Sequence, residues 1–238
     1  MISVVIPTRN EAHSLPALVA ALRRELPDGL GEILVSDGGS TDGTVEVARR
    51  LGATVVEGTR GRGPQLNAGV AAAHGERLWF LHADTAVPPG SGAALQAATV
   101  PWGCFATRIA SDDPRLRFTA RWMTERARRT GACSGDMGIW ADRELFDALG
   151  GFGQPAAVEA IGGSSSARVP AFEDLAFADR ARRRFACEVL DPPLLTSARR
   201  WEQEGVNRTI LRFWMLRMGY RVGVDPIRLS RSYRSRPR

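Results

Sequence analysis

Five carboxylates stand where their surroundings could put them to chemical use. Asp37 and Asp42 lie in SDGGSTDGT (36–44), Asp84 lies in FLHADT (80–85), and Glu173 and Asp174 are adjacent in FEDL (172–175). Asp37 and Asp84 each follow a short apolar run, so each is delivered by the end of a strand. A carboxylate so placed can accept the N–H of a nucleobase imide, hold a hard divalent cation against a diphosphate, or take a proton from a hydroxyl. His82 precedes Asp84 by two residues, and its imidazole can hydrogen-bond a ligand or ligate a metal.

The elements that would carry these groups alternate. ISVVIP (2–7), EILVSD (32–37), ATVVEG (53–58) and ERLWFLHAD (76–84) read as strands. Between them, Leu15, Leu18, Val19, Leu22 and Leu26 recur at helical spacing, 41–52 reads as a helix capped by Ser40, and 64–74 as a helix opened by Pro64. The order β-α-β-α-β-α-β predicts a parallel, doubly wound sheet. Ligands bind such sheets beyond the carboxyl ends of the strands. Thr8–Glu11, Asp37–Asp42, Arg60–Gly63 and His82–Thr85 all fall there. Downstream, 102–110 and 136–142 are predicted strands, and 115–130, 143–151, 172–184 and 202–220 predicted helices. The Gly/Ser/Ala/Pro-rich stretch 153–170 is predicted to be a mobile loop.

Composition narrows the function classes. A chain of 238 residues with 44% apolar content can bury a full core without staples. Cys104, Cys133 and Cys187 are scattered along the sequence and suggest neither a disulfide framework nor a zinc site, as expected in a reducing cytosol. No apolar run approaches the roughly 20 residues that span a bilayer, and the opening MISVVIP has no basic leader, so a cytoplasmic protein, peripheral at the membrane at most, is expected. Every one of the 32 cationic side chains is arginine. Without lysine, P-loop phosphate binding and Schiff-base chemistry are excluded. Residues 179–238 hold 15 arginines against 6 acids, a net +9, while the rest of the chain is at −3. No G-x-G-x-x-G follows the first strand, where PTRNE stands instead, and no serine-hydrolase elbow is present.

Taken together and in order, VVIPTRNE (4–11), SDGGSTDGT (36–44), FLHADT (80–85), GGF (150–152) and FEDL (172–175) resemble glycosyltransferase family 2, the inverting nucleotide-sugar transferases of GT-A fold, and within it a short bacterial branch carrying FLHADT. The resemblance covers residues 2 to about 184. It implies that Pro7, Thr8, Glu11, Asp37, Arg62, Asn67 and His82 line the nucleotide, that Asp37 accepts from uracil, that Asp84 holds Mn²⁺ or Mg²⁺, and that Asp174 is the catalytic base with Glu173 beside it. Arg199, Arg200 and Trp201 match, incompletely, an R-W element near the acceptor or diphosphate. Two positions depart from the family: Leu66 replaces an arginine, and His82 replaces the first aspartate of D-x-D.

The expected fold is thus α/β, a GT-A-type, Rossmann-like sheet flanked by helices, with a basic helical C-terminal extension. The domain occupies 1–190, with a nucleotide-binding half (1–100) and an acceptor half (101–190), and the extension occupies 191–238. The expected activity is metal-assisted, inverting transfer from a UDP-sugar to a hydroxyl acceptor, free or lipid-linked, with no nucleic-acid partner. Two alternatives stand beside it. One is a membrane-surface or nucleic-acid module, since Phe213, Trp214, Leu216, Met218 and Tyr220 interleave with Arg212, Arg217 and Arg221. The other is a sugar-nucleotide pyrophosphorylase, disfavoured by the missing lysine.

Overall fold

Seven strands form one sheet in the order β3-β2-β1-β4-β6-β5-β7. The structure, a computed structural model, describes residues 1–27, 29–58, 60–153, 172–224 and 228–229. The strands are β1 (Ile2–Thr8), β2 (Gly31–Asp37), β3 (Thr54–Glu57), β4 (Arg77–Phe80), β5 (Trp102–Ile109), β6 (Trp140–Asp142) and β7 (Glu188–Thr196). The helices are α1 (Leu15–Glu25), α2 (Thr44–Arg50), α3 (Arg62–Ala71), α4 (Ser91–Ala97), α5 (Pro114–Thr130), α6 (Arg143–Ala148), α7 (Glu173–Ala181), α8 (Arg199–Glu204) and α9 (Val206–Arg221).

β3, β2, β1 and β4 run parallel, as the alternating sequence predicts. β6 lies antiparallel between β4 and β5, and β7 pairs parallel with β5, so the sheet is mixed. β1 is buried along almost its whole length because both of its faces are covered. Val4 and Ile6 pack with Leu15, Leu18 and Leu22 of α1, while Val5 packs on the other face with Leu66 and Val70 of α3. Gly69 permits that approach, since a Cβ there would stand 2.4 Å from Val5 Cγ1.

Several elements differ from their predicted extents. β4 ends at Phe80, so His82 and Asp84 lie in the turn beyond the strand and not on it. α2 begins at Thr44 behind Gly43, because Ser40 is engaged with Asp37 and does not cap the helix. Residues 136–142 form a 3₁₀ turn, Gly135–Met137, followed by the short β6. β7 carries Asp191-Pro192-Pro193, a string that hides a strand. It straddles residue 190, where the sequence places the end of the body. The predicted C-terminal helix is two, broken at Gly205, whose φ of 86° suits glycine. Residues 154–171, most of the predicted mobile loop, lie outside the described residues.

The basic extension docks on the body with one face. Phe213 and Ile210 of α9 pack on Leu116 and Ala120 of α5, and Leu216 packs on Phe172. Leu211, Trp214, Met215 and Met218 of the same helix remain exposed. Among the described residues no helix is long and apolar enough to cross a membrane.

Candidate active site

Strand order reverses between β1 and β4, and the crevice beyond their carboxyl ends is where such sheets bind ligands. At its floor lies Asp37, last residue of β2 and buried. One oxygen accepts from the Thr8 and Ser40 hydroxyls, the other from the backbone N–H of Gly39 (2.9 Å) and Ser40 (2.8 Å). Burial opposes ionisation here, yet the Ser40, Gly39 and Thr8 hydrogen bonds outweigh it and hold the carboxyl below its ordinary pKa. The surrounding loops are tied to it. Asn10, at φ 58°, accepts from Thr41 N and donates its own N–H to Ser40 Oγ. Gln65 Nε2 donates to the carbonyls of Thr8 (2.9 Å) and Ser36 (2.7 Å), clamping the ends of β1 and β2. Asp42 accepts from Ala12 N and Thr44 N and so braces the first turn of α2.

A second group gathers across the crevice around Asp174. Phe172 has φ 78°, an outlier for an aromatic residue, and this bend starts α7 with Glu173 and Asp174 in its first turn. There the helix dipole favours negative charge. Both carboxylates are buried. Arg62, opening α3, ion-pairs with Glu173, and its Nη2 lies 3.7 Å from Asp174 Oδ2. Gly135 N donates to Asp174 Oδ2 at 2.6 Å. Burial raises the Asp174 pKa, but Arg62, the Gly135 and Leu175 N–H groups and His82 more than reverse it, so the group is held ionised. His82 stands beside this group, with Nδ1 3.6 Å from Asp136 Oδ1. A Cβ on Gly135 would meet His82 Nε2 at 3.1 Å and Asp174 Oδ2 at 3.3 Å, so glycine is what lets the three converge.

The remaining predicted residues divide. Asp84 is partly exposed in the turn after β4 and makes no hydrogen bond or ion pair among the described residues. Glu11 accepts from Ser14 Oγ and meets Arg199 Nη2 at 3.4 Å, which brings α8 to the tip of β1. Pro7 is half-buried within β1, opposite Ser36. Asn67 is spent on the backbone of the GGF segment, accepting from Phe152 N at 3.0 Å and facing its carbonyl at 3.4 Å. Arg200 and Trp201 stand apart from the strand tips. Arg200 lies 5.9 Å over Phe213, and Trp201 is buried against the same ring.

Sequence reasoning missed Gln65, Gly135 and Asp136. The string PQLNAG held a clue to Gln65, a polar side chain on the inward face of its helix. Gly135 and Asp136 were hidden in a segment read as a strand. It also missed a convergence: the sulfurs of Cys104, Cys133 and Cys187 lie within 4.8 Å of one another. Hydrogen bonds from the Cys104 and Cys133 thiols pull the Cys187 pKa down to about 5, while both donors are pushed up.

A divalent cation fits the donor set. A hard ion takes one or two carboxylates and fills its remaining positions with water and substrate phosphate oxygens. Asp84 offers an unengaged carboxylate at the crevice mouth, whereas the other acids nearby are already bonded to protein groups.

Residues 3–101 match the family model described as Glycosyl transferase family 2. Among characterised and uncharacterised relatives, a 48-residue segment is 50% identical to the succinoglycan biosynthesis protein ExoA of Rhizobium meliloti, covering 20% of this chain and 14% of that one. An uncharacterized glycosyltransferase of Mycobacterium tuberculosis is 42% identical over 90 residues, 37% of this chain and 39% of its own. The matches thus span less than half the length of these relatives. Among solved structures, the mannosyltransferase PcManGT of Pyrobaculum calidifontis, in complex with GDP-Man and Mn²⁺, superposes with TM-score 0.64 at 21% identity, covering 98% of this chain and 69% of that one. S. aureus TarS (1–349), in complex with UDP-GlcNAc, gives 0.61 at 18% identity over 82% of this chain and 58% of its own. At these identities the likeness is one of fold, and the fold is of GT-A type.

Proposed function

We propose that the chain is an inverting, metal-assisted glycosyltransferase of family 2 that moves a sugar from a UDP-linked donor to an acceptor hydroxyl. The observation that carries this reading is the pairing, across one crevice, of an unengaged carboxylate in the turn after β4, Asp84, with a buried, ionised one, Asp174. The first faces where a diphosphate would leave, and the second where an acceptor would arrive. Residues 1–100 then serve the donor and 101–190 the acceptor. Thr8, Glu11 and Pro7 border the nucleotide. Asp37 accepts the uracil imide N–H, with the Ser40 hydroxyl ceding its place on the carboxylate. Asn67 acts on the nucleotide through the GGF segment that it fastens.

Asp84 would hold the divalent cation, which supplies charge neutralisation for the departing diphosphate. Arg62 shares its charge between Glu173 and the region facing the crevice. Glu173 orients Arg62, and Arg62 with Gly135 N orients Asp174. In the transfer, the acceptor oxygen forms its bond to the anomeric carbon as the bond to the diphosphate breaks. The electron pair leaves with the nucleoside diphosphate, and the hydroxyl proton passes to Asp174. Attack from the face opposite the leaving group inverts the configuration. The Arg199–Glu11 contact ties α8 to the donor side, so Arg199 is assigned to the diphosphate, with Arg200 and Trp201 shaping the acceptor side.

Calorimetry tests the donor half. UDP in Mn²⁺ should bind more tightly than ADP or GDP, and Asp84→Ala should abolish the metal dependence of that binding while the fold survives. UDP binding by the variant that still responds to Mn²⁺ and chelator as wild type does would remove Asp84 from the metal.

A further inference from the structure

A cavity of about 810 Å³ opens between α5 and α9 and reaches Asp174 at its inner end. Its walls are mainly apolar, with Met123, Phe172, Leu175, Phe213 and Leu216 among the lining residues. The two helices present apolar side chains to solvent, some of them at the cavity rim: Phe118 and Trp122 on α5, and Leu211, Trp214, Met215 and Met218 on α9, all exposed. The spacing 211, 214, 215, 218 is that of one helix face, so the exposed groups form a stripe. A stripe and a groove of this kind, at the mouth of a site, mark contact with an apolar partner or ligand.

Two arginines say which kind. Arg126 and Arg217 line the cavity, and both turn to a single carbonyl, that of Ala132, at 2.9 Å from Arg126 Nε and 3.2 Å from Arg217 Nη2. Among the described residues neither is bonded to a carboxylate. Arg126 Nη2 is buried with no hydrogen-bond partner, and the guanidinium lies 4.8 Å over Trp122. Buried polar atoms are normally paired, so a buried guanidinium nitrogen without a partner is costly. Burial, and then repulsion from Arg217 and Arg221, lowers the Arg126 pKa to about 9, against a weaker opposing pull from the nearby cysteines. Burial and the Arg221 charge lower that of Arg217, with Asp174 partly offsetting them. The other acid on the cavity wall, Asp136, faces His82. The cavity therefore combines an apolar channel, a cationic pair short of an anion, and a carboxylate able to take a proton.

We propose that this groove is the acceptor subsite and that its occupant is a membrane phospholipid whose head carries a free hydroxyl. The hydrocarbon chain lies along Phe213 and Leu216, the phosphate meets Arg126 and Arg217, and the hydroxyl reaches Asp174. The exposed stripe then rests on the bilayer surface, among basic side chains suited to anionic lipid. The assignment rests on the glycosyltransferase reading only for what is done to the hydroxyl, not for what binds. In that step the lipid oxygen gains the bond to the anomeric carbon, the diphosphate takes the electron pair of the broken bond, and Asp174 takes the proton.

Three short-chain lipids separate the contributions: phosphatidylglycerol has phosphate and hydroxyl, phosphatidylcholine has phosphate alone, and diacylglycerol has hydroxyl alone. Binding is measured by calorimetry on the full chain, and transfer with radiolabelled donor. Phosphatidylglycerol should bind at least tenfold more tightly than diacylglycerol and alone become glycosylated, and phosphatidylcholine should bind without accepting sugar. Arg126→Met/Arg217→Met should reduce phosphatidylglycerol binding tenfold or more and leave Mn²⁺–UDP binding unchanged. Trp214→Asp, at an exposed position that folding does not need, should weaken vesicle association. Equal binding of diacylglycerol and phosphatidylglycerol, or indifference of lipid binding to both variants, would overturn the proposal. Nucleotide binding without any lipid binding would overturn this subsite and leave the transferase reading intact. Lipid binding without nucleotide binding would uphold the subsite and sink the transferase reading.

Discussion

The two sides of the crevice are built on opposite principles. On the side of β1 and β2, four side chains are engaged within the protein: Asp37 fills both of its oxygens, Asp42 braces two backbone N–H groups, and Gln65 and Asn67 clamp neighbouring backbones. On the side of α5 and α9, Arg126 and Arg217 share one carbonyl oxygen, and apolar side chains face outward. A site whose hydrogen bonds are complete before ligand arrives is preorganised and rigid. A site with unsatisfied charge waits for a ligand to complete it. Asp174 stands where the two meet, fixed by Arg62 from α3 and by Gly135 from the turn before β6.

That contrast can be broken at its hinge. Gly135→Ala would press a methyl against His82 Nε2 and Asp174 Oδ2. Single-turnover transfer should fall on the order of tenfold or more, since loss of a positioned base costs roughly 10²–10⁴ and a displaced one a share of that. Mn²⁺–UDP affinity should stay within about twofold. Equal losses in both would mean that the two sides are one rigid unit.

The contrast also makes opposite forecasts for stability. Asp37→Asn disturbs a completed network and should cost about 1–3 kcal/mol in urea unfolding. Arg126→Met removes a half-buried guanidinium whose Nη2 has no hydrogen-bond partner and should be neutral or stabilising. If both variants destabilise equally, the acceptor side is not short of an anion. The acid limb sharpens this further. Because the folded Asp37 pKa lies below its ordinary value, its stabilising contribution is whole above about pH 4 and is lost as pH falls through the folded pKa. The wild type should therefore lose stability below about pH 4, and Asp37→Asn should lose less over the same interval.

Legibility in the sequence followed the same division. The alternating first half announced its parallel strands and placed Asp37, Arg62 and Asp84 at strand tips, because buried parallel strands are unbroken apolar runs and the polar residue that ends each one is conspicuous. Extents were less legible. β4 stops at Phe80, and the chain turns just beyond it, where Thr85 N donates to the His82 carbonyl at 3.1 Å. α4 and β7 went unread: SGAALQA is short and weakly patterned, and two prolines disguise DPPLLT, which pairs at the sheet edge opposite β5. The groove was invisible because α5 and α9 are distant in sequence, and nothing local says that Arg126 and Arg217 will share Ala132. The cysteine trio was invisible for the same reason. The C-terminal segment docks one face on the body through Leu216 and Phe213 and leaves Leu211, Trp214, Met215 and Met218 exposed.

Asp174 is where donor, acceptor and base chemistry would meet, and Asp174→Asn tests that role most directly. The asparagine keeps the shape of the side chain but cannot take a proton. Donor and metal binding should persist, because the proposed nucleotide site lies at the strand tips of the first half and not on α7. Transfer to the acceptor, followed by product analysis, should fall on the order of 10²–10⁴, and the residual and wild-type products should both carry the configuration opposite to the donor's. A variant that keeps more than about a tenth of wild-type turnover, or a wild-type product that retains the donor's configuration, would contradict the assignment of Asp174 as the base and of the reaction as a single inverting displacement.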